Sequence, residues 1–366
     1  MKGYLVLENG EIYQGEIFGR CEERYGELIF NTSMTGYQEI LYDPSYKGQI
    51  VVMTYPLIGN YGINEQDIES YKVHLEGFVI KELSKISSNW RAKESLDEFF
   101  KRNGIVGIEG IDTRRITLIL REKGALKGAI FPEGLDYKEM VEKVKKSPSI
   151  VGRDLVKEVI RDKPFWWKKE GKYKVIVIDC GVKYNILRLL SKFDLKVAVM
   201  PASVLWEEIV KENPDGVLIS NGPGDPAPLK YVIKNVSNLI GRFPIFGICL
   251  GHQILGQVFG GSTYKLKFGH HGANHPVKDL KTGKIYITVQ NHGFCVDINS
   301  LKDQQVEITH INLNDHTLEG IEHKKYPVFS VQFHPEDSPG PRDAFYLFEK
   351  FYNLIVQCPG RTSAGN

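Results

Sequence analysis

Three residue types in this chain could do covalent chemistry together: a cysteine, a histidine and a glutamate, each set beside a short apolar run. Cys249 lies in Pro244-Ile245-Phe246-Gly247-Ile248-Cys249-Leu250-Gly251-His252-Gln253. Residues 245–248 read as a buried strand and those after Gly251 as a helix, which puts Cys249 on the turn between them. Glycines two positions before and two after give the spacing of a nucleophile elbow, where the tight backbone leaves no room for other side chains. A helix N-terminus behind the sulfur would favour thiolate over thiol, as a nucleophile needs. The competing reading is a buried, inert cysteine.

A nucleophilic thiolate needs a base that keeps it ionised and later protonates a leaving group. Among the 10 histidines, His334 stands out, in Val331-Gln332-Phe333-His334-Pro335-Glu336. It follows the expected strand 328–333, at its carboxyl end, the same sheet edge as the elbow. Glu336, two residues on, can orient the imidazole and stabilise its charged form. Alone, His-Pro-Glu also reads as an exposed turn; with the elbow it completes a triad. Ser220-Asn221-Gly222-Pro223-Gly224-Asp225-Pro226 follows a third strand, 216–219. Its glycines allow close backbone approach, and its amides can face a developing oxyanion. A phosphate loop is the alternative, but the P-loop spacing is missing and Pro223 and Pro226 remove donors. Gln290-Asn291-His292-Gly293-Phe294 suits recognition of a small polar ligand, or is a plain turn. Phe268-Gly269-His270-His271-Gly272-Ala273-Asn274-His275-Pro276 suggests metal ligands at first. Adjacent histidines point apart and no acidic cluster lies near, so a loop lining the site without a metal is expected.

The elements that must position these residues fall in two parts. Residues 1–150 open with a hairpin around Asn9-Gly10 and continue with strands near 28–30 and 50–53. Helical spacing follows at 95–102, 113–122 and 136–146, so an α+β domain is expected. Residues 151–172, with Trp166 and Trp167, break every period and read as a linker. From 173 to 357 short apolar strands alternate with helices, the signature of an α/β domain built on a mostly parallel sheet. Ligands bind such sheets beyond the strand carboxyl ends, where Cys249 falls. Residues 358–366 read as a disordered tail.

Length and composition agree. The chain has 366 residues, 42% hydrophobic and 25% charged, and a net charge of +2. That balance gives no argument for nucleic acid or an anionic membrane, and no apolar run is long enough to span one. Five scattered cysteines without C-x-x-C spacing fit a reducing, cytoplasmic setting.

Taken together, Phe246-Gly247-Ile248-Cys249-Leu250-Gly251-His252-Gln253, the Asn221-to-Pro226 loop and His334-Pro335-Glu336 resemble a class I, triad-type glutamine amidotransferase. The first part narrows this. Phe30-Asn31-Thr32-Ser33-Met34-Thr35-Gly36-Tyr37-Gln38-Glu39-Ile40-Leu41, Asp43-Pro44-Ser45-Tyr46 and Thr54-Tyr55-Pro56-Leu57-Ile58-Gly59-Asn60 resemble the small-subunit family of carbamoyl-phosphate synthase. So do Gly107-Ile108-Glu109-Gly110-Ile111-Asp112-Thr113-Arg114 and Lys267-Phe268-Gly269-His270-His271-Gly272. The resemblance implies hydrolysis of L-glutamine to glutamate and ammonia, with Cys249 as nucleophile, His334 as base and Glu336 orienting it. It implies oxyanion contacts from the amides of Leu250 and Gly224. It implies glutamine contacts from Ser45, Gly222, Gly224, Leu250, Gln253, Asn291, Gly293 and Phe294. It implies a large-subunit partner in a heterodimer, which uses ATP, magnesium and bicarbonate to make carbamoyl phosphate for arginine and pyrimidine biosynthesis, and no cofactor in this chain. The rivals are another glutamine amidotransferase subunit, a stand-alone cysteine hydrolase and a non-catalytic interaction protein.

Overall fold

A computed structural model describes residues 1–358; the expected tail, beyond Cys358, lies outside the described residues. The chain forms two compact units. Met1–Arg153 with Lys267–Gly272 make the first, and Asp154–Leu266 with the chain from Ala273 on make the second. No helix among the described residues is long and apolar enough to cross a membrane.

In the first unit, seven strands among the described residues close into a barrel. Their order is Lys2–Leu7, Ile12–Gly19, Val106–Glu109, Gly77–Val79, Gln49–Met53, Arg24–Asn31 and Leu126–Pro132. Alternate side chains serve different cores because a strand turns successive residues to opposite faces. Leu5 and Leu7 pack with Ile116 and Leu120, whereas Tyr4 and Val6 pack with Met140 and Val144. Helix Leu96–Asn103 starts where the sequence implies, because Ser95 and Glu98 form a capping box, and its Phe99 and Phe100 are fully buried. Helix Tyr37–Tyr42 was not expected. It is 6 residues long and buried nearly all round, so it shows no amphipathic period.

The second unit is a single sheet, ordered Phe165–Lys168, Leu195–Pro201, Tyr173–Asp179, Gly216–Ile219, Ile245–Ile248, Val328–Val331, Leu318–His323, Val306–Asn312, Thr263–Asp279 and Ile285–Val296. From Leu195–Pro201 to Val328–Val331 every pairing is parallel. These runs are apolar throughout because both faces are covered. Ile176 and Ile178 join one core with Val232 and Ile254, and Val175 and Val177 join the other with Leu187 and Phe348.

Three stretches differ from the sequence-based expectation. Phe165–Lys168, inside the expected linker, is an antiparallel edge strand on Leu195–Pro201, and Trp167 packs on Tyr184. An edge strand has a neighbour on one side only, so its apolar pattern is weak. The histidine-rich stretch is no loop but part of the long strand Thr263–Asp279, whose residues 267–272 belong to the first unit. There Ala125 and Thr32 donate to the carbonyls of Lys267 and His271. Residues 290–294 continue the strand Ile285–Val296 rather than turning.

Phe246 anchors the elbow strand. Its ring stacks on Phe329 with centroids 4.4 Å apart and meets Phe348 edge-on at 5.8 Å. Phe246→Ala should lower the unfolding free energy of the second unit by about 3–5 kcal/mol, read as a reduced denaturation midpoint.

Candidate active site

The parallel strands deliver the site from one edge. Asp179, Ile219, Ile248 and Val331 end their strands there, and the next residues in each case carry polar groups. Cys249 follows Ile248 with φ 52° and ψ −101°, a left-handed conformation that costs a non-glycine residue free energy. The glycines around it are required by space. A Cβ on Gly247 would come within 2.8 Å of the Gly251 carbonyl, and one on Gly251 within 2.3 Å of the Ile219 carbonyl oxygen. The strained turn is pinned by the Cys249 N–H donating to Val331 O at 2.9 Å. Helix Leu250–Val258 starts directly behind the cysteine, so the Leu250 N–H is a first-turn amide without an intrahelical acceptor.

His334 comes from the strand that pins the elbow, three residues beyond Val331, and its own N–H donates to Val289 O at 2.9 Å. Its Nδ1 is 2.6 Å from Glu336 Oε1, and both side chains are buried. Among the described residues Nε2 has no hydrogen-bond partner, the open nitrogen of the ring. Burial opposes the imidazolium, but the Glu336 carboxylate and the neighbouring Cys249 outweigh it and raise His334 to about 10. Burial likewise opposes the Glu336 carboxylate, yet Lys183 and His334 hold it down at about 2.

Lys183 is the residue the sequence did not reveal. Its Nζ lies 2.9 Å from Glu336 Oε1 and donates to Asp337 O at 2.5 Å, with the lysine almost wholly buried. It stands at the start of helix Tyr184–Leu190, just past the strand Tyr173–Asp179, and its N–H is held by Asn221 Oδ1 at 3.1 Å. Asn185 Nδ2 donates to the Glu336 carbonyl. A lysine just past a parallel strand's carboxyl end was the available signal.

Of the other expected site residues of the second unit, Asn291 reaches the sulfur through its carbonyl. Cys249 Sγ is 3.7 Å from Asn291 O, and Gln253 Nε2 donates to Phe294 O at 2.8 Å. Gly222 lies so close to Cys180 and Leu250 that a Cβ would stand 2.2 Å from the Cys180 carbonyl oxygen. Gly224 has φ +80°, and open space faces Gly293. A second unforeseen residue, Gln332, donates from Nε2 to Cys249 Sγ at 3.6 Å. Ser45 belongs to the first unit, on the turn Pro44–Tyr46, its N–H held by Asp43 Oδ1 at 2.9 Å.

This arrangement predicts a pH signature. The folded value of His334 lies above its ordinary 6.5, so its contribution to stability is complete below 6.5 and is lost as pH rises towards about 10. Glu336 is depressed from 4.5, so its contribution is complete above 4.5 and is lost as pH falls towards about 2. Denaturation across a pH series should show the stability gap between the unaltered chain and His334→Gln closing between 6.5 and 10. Lys183→Met, which leaves Glu336 buried with one partner fewer, should cost about 3–5 kcal/mol in the same measurement.

Residues 176–354 match the family model described as glutamine amidotransferase class-I, and residues 5–130 match that of the carbamoyl-phosphate synthase small chain, CPSase domain. The carbamoyl phosphate synthase small chain of Syntrophotalea carbinolica is 53% identical over 369 residues, covering 97% of this chain and 98% of that one. That of Akkermansia muciniphila is 52% identical over 367 residues, covering 97% and 98%. That of Aquifex aeolicus is 53% identical over 363 residues, covering 96% and 98%. Identity at this level along nearly the whole length of both chains, over both units, leaves one conclusion: the chain belongs to the carbamoyl phosphate synthase small chain family.

Proposed function

We propose that the chain hydrolyses L-glutamine at Cys249 and supplies the ammonia to a large-chain partner that makes carbamoyl phosphate. The observation that carries the chemistry is the buried His334–Glu336 pair set beside a cysteine on a strained elbow. In this reading Cys249 thiolate attacks the side-chain carboxamide carbon of glutamine. The amides of Leu250 and Gly224 face the oxyanion. His334, held as imidazolium by Glu336, gives its proton to the departing nitrogen as the C–N bond breaks, leaving a γ-glutamyl thioester. The neutral imidazole then takes a proton from water, which attacks the thioester and releases glutamate. Cys249 thiolate and His334 imidazolium are thereby restored.

Glutamine is bound in this scheme by Gly222, Gly224, Leu250, Gln253, Asn291, Gly293 and Phe294, with Ser45 added by resemblance. The name of the relatives supports the partner, since a small chain implies a large one. We place ATP and magnesium on that large chain, in a heterodimer serving arginine and pyrimidine biosynthesis. Cysteines that are all free fit a cytoplasmic setting.

Cys249→Ser and His334→Asn should each abolish glutamine-dependent carbamoyl phosphate formation by the reconstituted complex while ammonia-dependent formation persists. Near-normal glutamine turnover in Cys249→Ser would remove Cys249 as the nucleophile.

A further inference from the structure

Gln332 stands between the sulfur and the amide that the proposed function assigns to substrate. It is fully buried just past the strand Val328–Val331, and its own N–H donates to Glu319 O at 2.9 Å. One end of its carboxamide is 3.6 Å from Cys249 Sγ and the other is 3.2 Å from Gln253 Nε2. Which end is nitrogen follows from the partners. A backbone carbonyl can only accept, so the Gln253 atom 2.8 Å from Phe294 O must be its NH2 group. That group also faces Gln332, so the Gln332 atom opposite it must be the oxygen. The remaining end of Gln332, its NH2, is therefore aimed at the sulfur. One main-chain carbonyl thus sets two side-chain amides in series.

We propose that Gln332 is a further residue of the reaction centre, donating an N–H to Cys249 Sγ that favours the ionised sulfur and fixes its direction. The proposal rests on Cys249 being the nucleophile. A hydrogen bond donated to an ionised group favours that form. The groups around the sulfur divide by sign. His334 acts on it as a cation, with Glu336 and Lys183 behind the ring. The strand Ile285–Val296 presents the Asn291 carbonyl, which can only accept the S–H and so favours the thiol. The elbow helix brings the neutral Gln253, and the 220–226 loop carries Asp225, whose Oδ1 is turned to the Ala227 N–H. Gln332 is the side-chain amide set against the Asn291 carbonyl.

The test is the rate of iodoacetamide alkylation at Cys249, located by mass spectrometry, across a pH series on the full chain. Gln332→Glu keeps the length and the acceptor for Gln253 but replaces the donor with a carboxylate. Gln332→Met removes the donor without adding charge. The pH midpoint of alkylation should rise by about one unit in Gln332→Met, roughly a tenfold loss of reactivity below it, and further in Gln332→Glu. A slower reaction at every pH with an unmoved midpoint would show a merely structural role and overturn the proposal. If Gln332→Glu does not fold, Gln332→Met decides alone. Should Cys249 of the unaltered chain fail to alkylate at any pH, the nucleophile reading itself falls, and the proposal with it.

Discussion

Three ionisable side chains, Lys183, Glu336 and His334, share a volume from which water is nearly excluded, and the rest of the second unit is arranged to make that tolerable. An isolated buried charge costs far more than a domain can spare, so each must be paired and hydrogen-bonded. Glu336 answers two cations at once: its Oε1 meets Lys183 Nζ and His334 Nδ1. Main-chain carbonyls complete the arrangement, since Lys183 also donates to Asp337 O and Asn185 to Glu336 O. These residues come from opposite ends of the second unit's sequence. Only a parallel sheet, which brings several strand ends to one edge, can gather them without long loops.

The same edge fixes the proposed nucleophile. The Cys249 N–H is bound to Val331 O, and His334 follows three residues later on the same segment. Displacing that strand would move Cys249 and His334 together, so their relation is set by a few backbone bonds rather than by flexible side chains. Strain at the elbow fits this rigidity. A cysteine at φ 52° persists because Gly247 and Gly251 let the helix and the Ile219 strand close in on it from both sides. Preorganisation of this kind lowers the reorganisation needed when charge moves during reaction.

What could be read in the sequence was whatever depends on near neighbours. The elbow is five residues long, the His334–Glu336 pair three, and helix Leu96–Asn103 shows in the helical spacing over 95–102. Features set by distant partners were silent. The barrel order, which places Val106–Glu109 between Ile12–Gly19 and Gly77–Val79, depends on pairings that no local pattern encodes. Phe165–Lys168 was hidden because an edge strand is covered on one side only, and Thr263–Asp279 because glycines and histidines mask its period. Lys183 and Gln332 escaped for the same reason. A lysine after a strand and a glutamine before Phe333 are ordinary in sequence, and become informative only once Glu336 and Cys249 stand beside them.

The chemical division among the groups at the sulfur follows from the cycle they must serve. In the proposed cycle the sulfur is in turn an anion, a tetrahedral substituent and a thioester, while a proton leaves the imidazole in the first half-reaction and returns to it in the second. A second titrating group in contact with it would compete with His334 for that proton. Neutral amides do not. Gln332 and Gln253 can hold position through every stage because their donors and acceptors are fixed by the Phe294 carbonyl rather than by pH. Lys183 and Glu336 carry charge, but they act on the imidazole from its Nδ1 side and leave Nε2 open. In the proposed cycle the site thus confines the moving proton and charge to one ring nitrogen and one sulfur, and sets neutral amides against the sulfur.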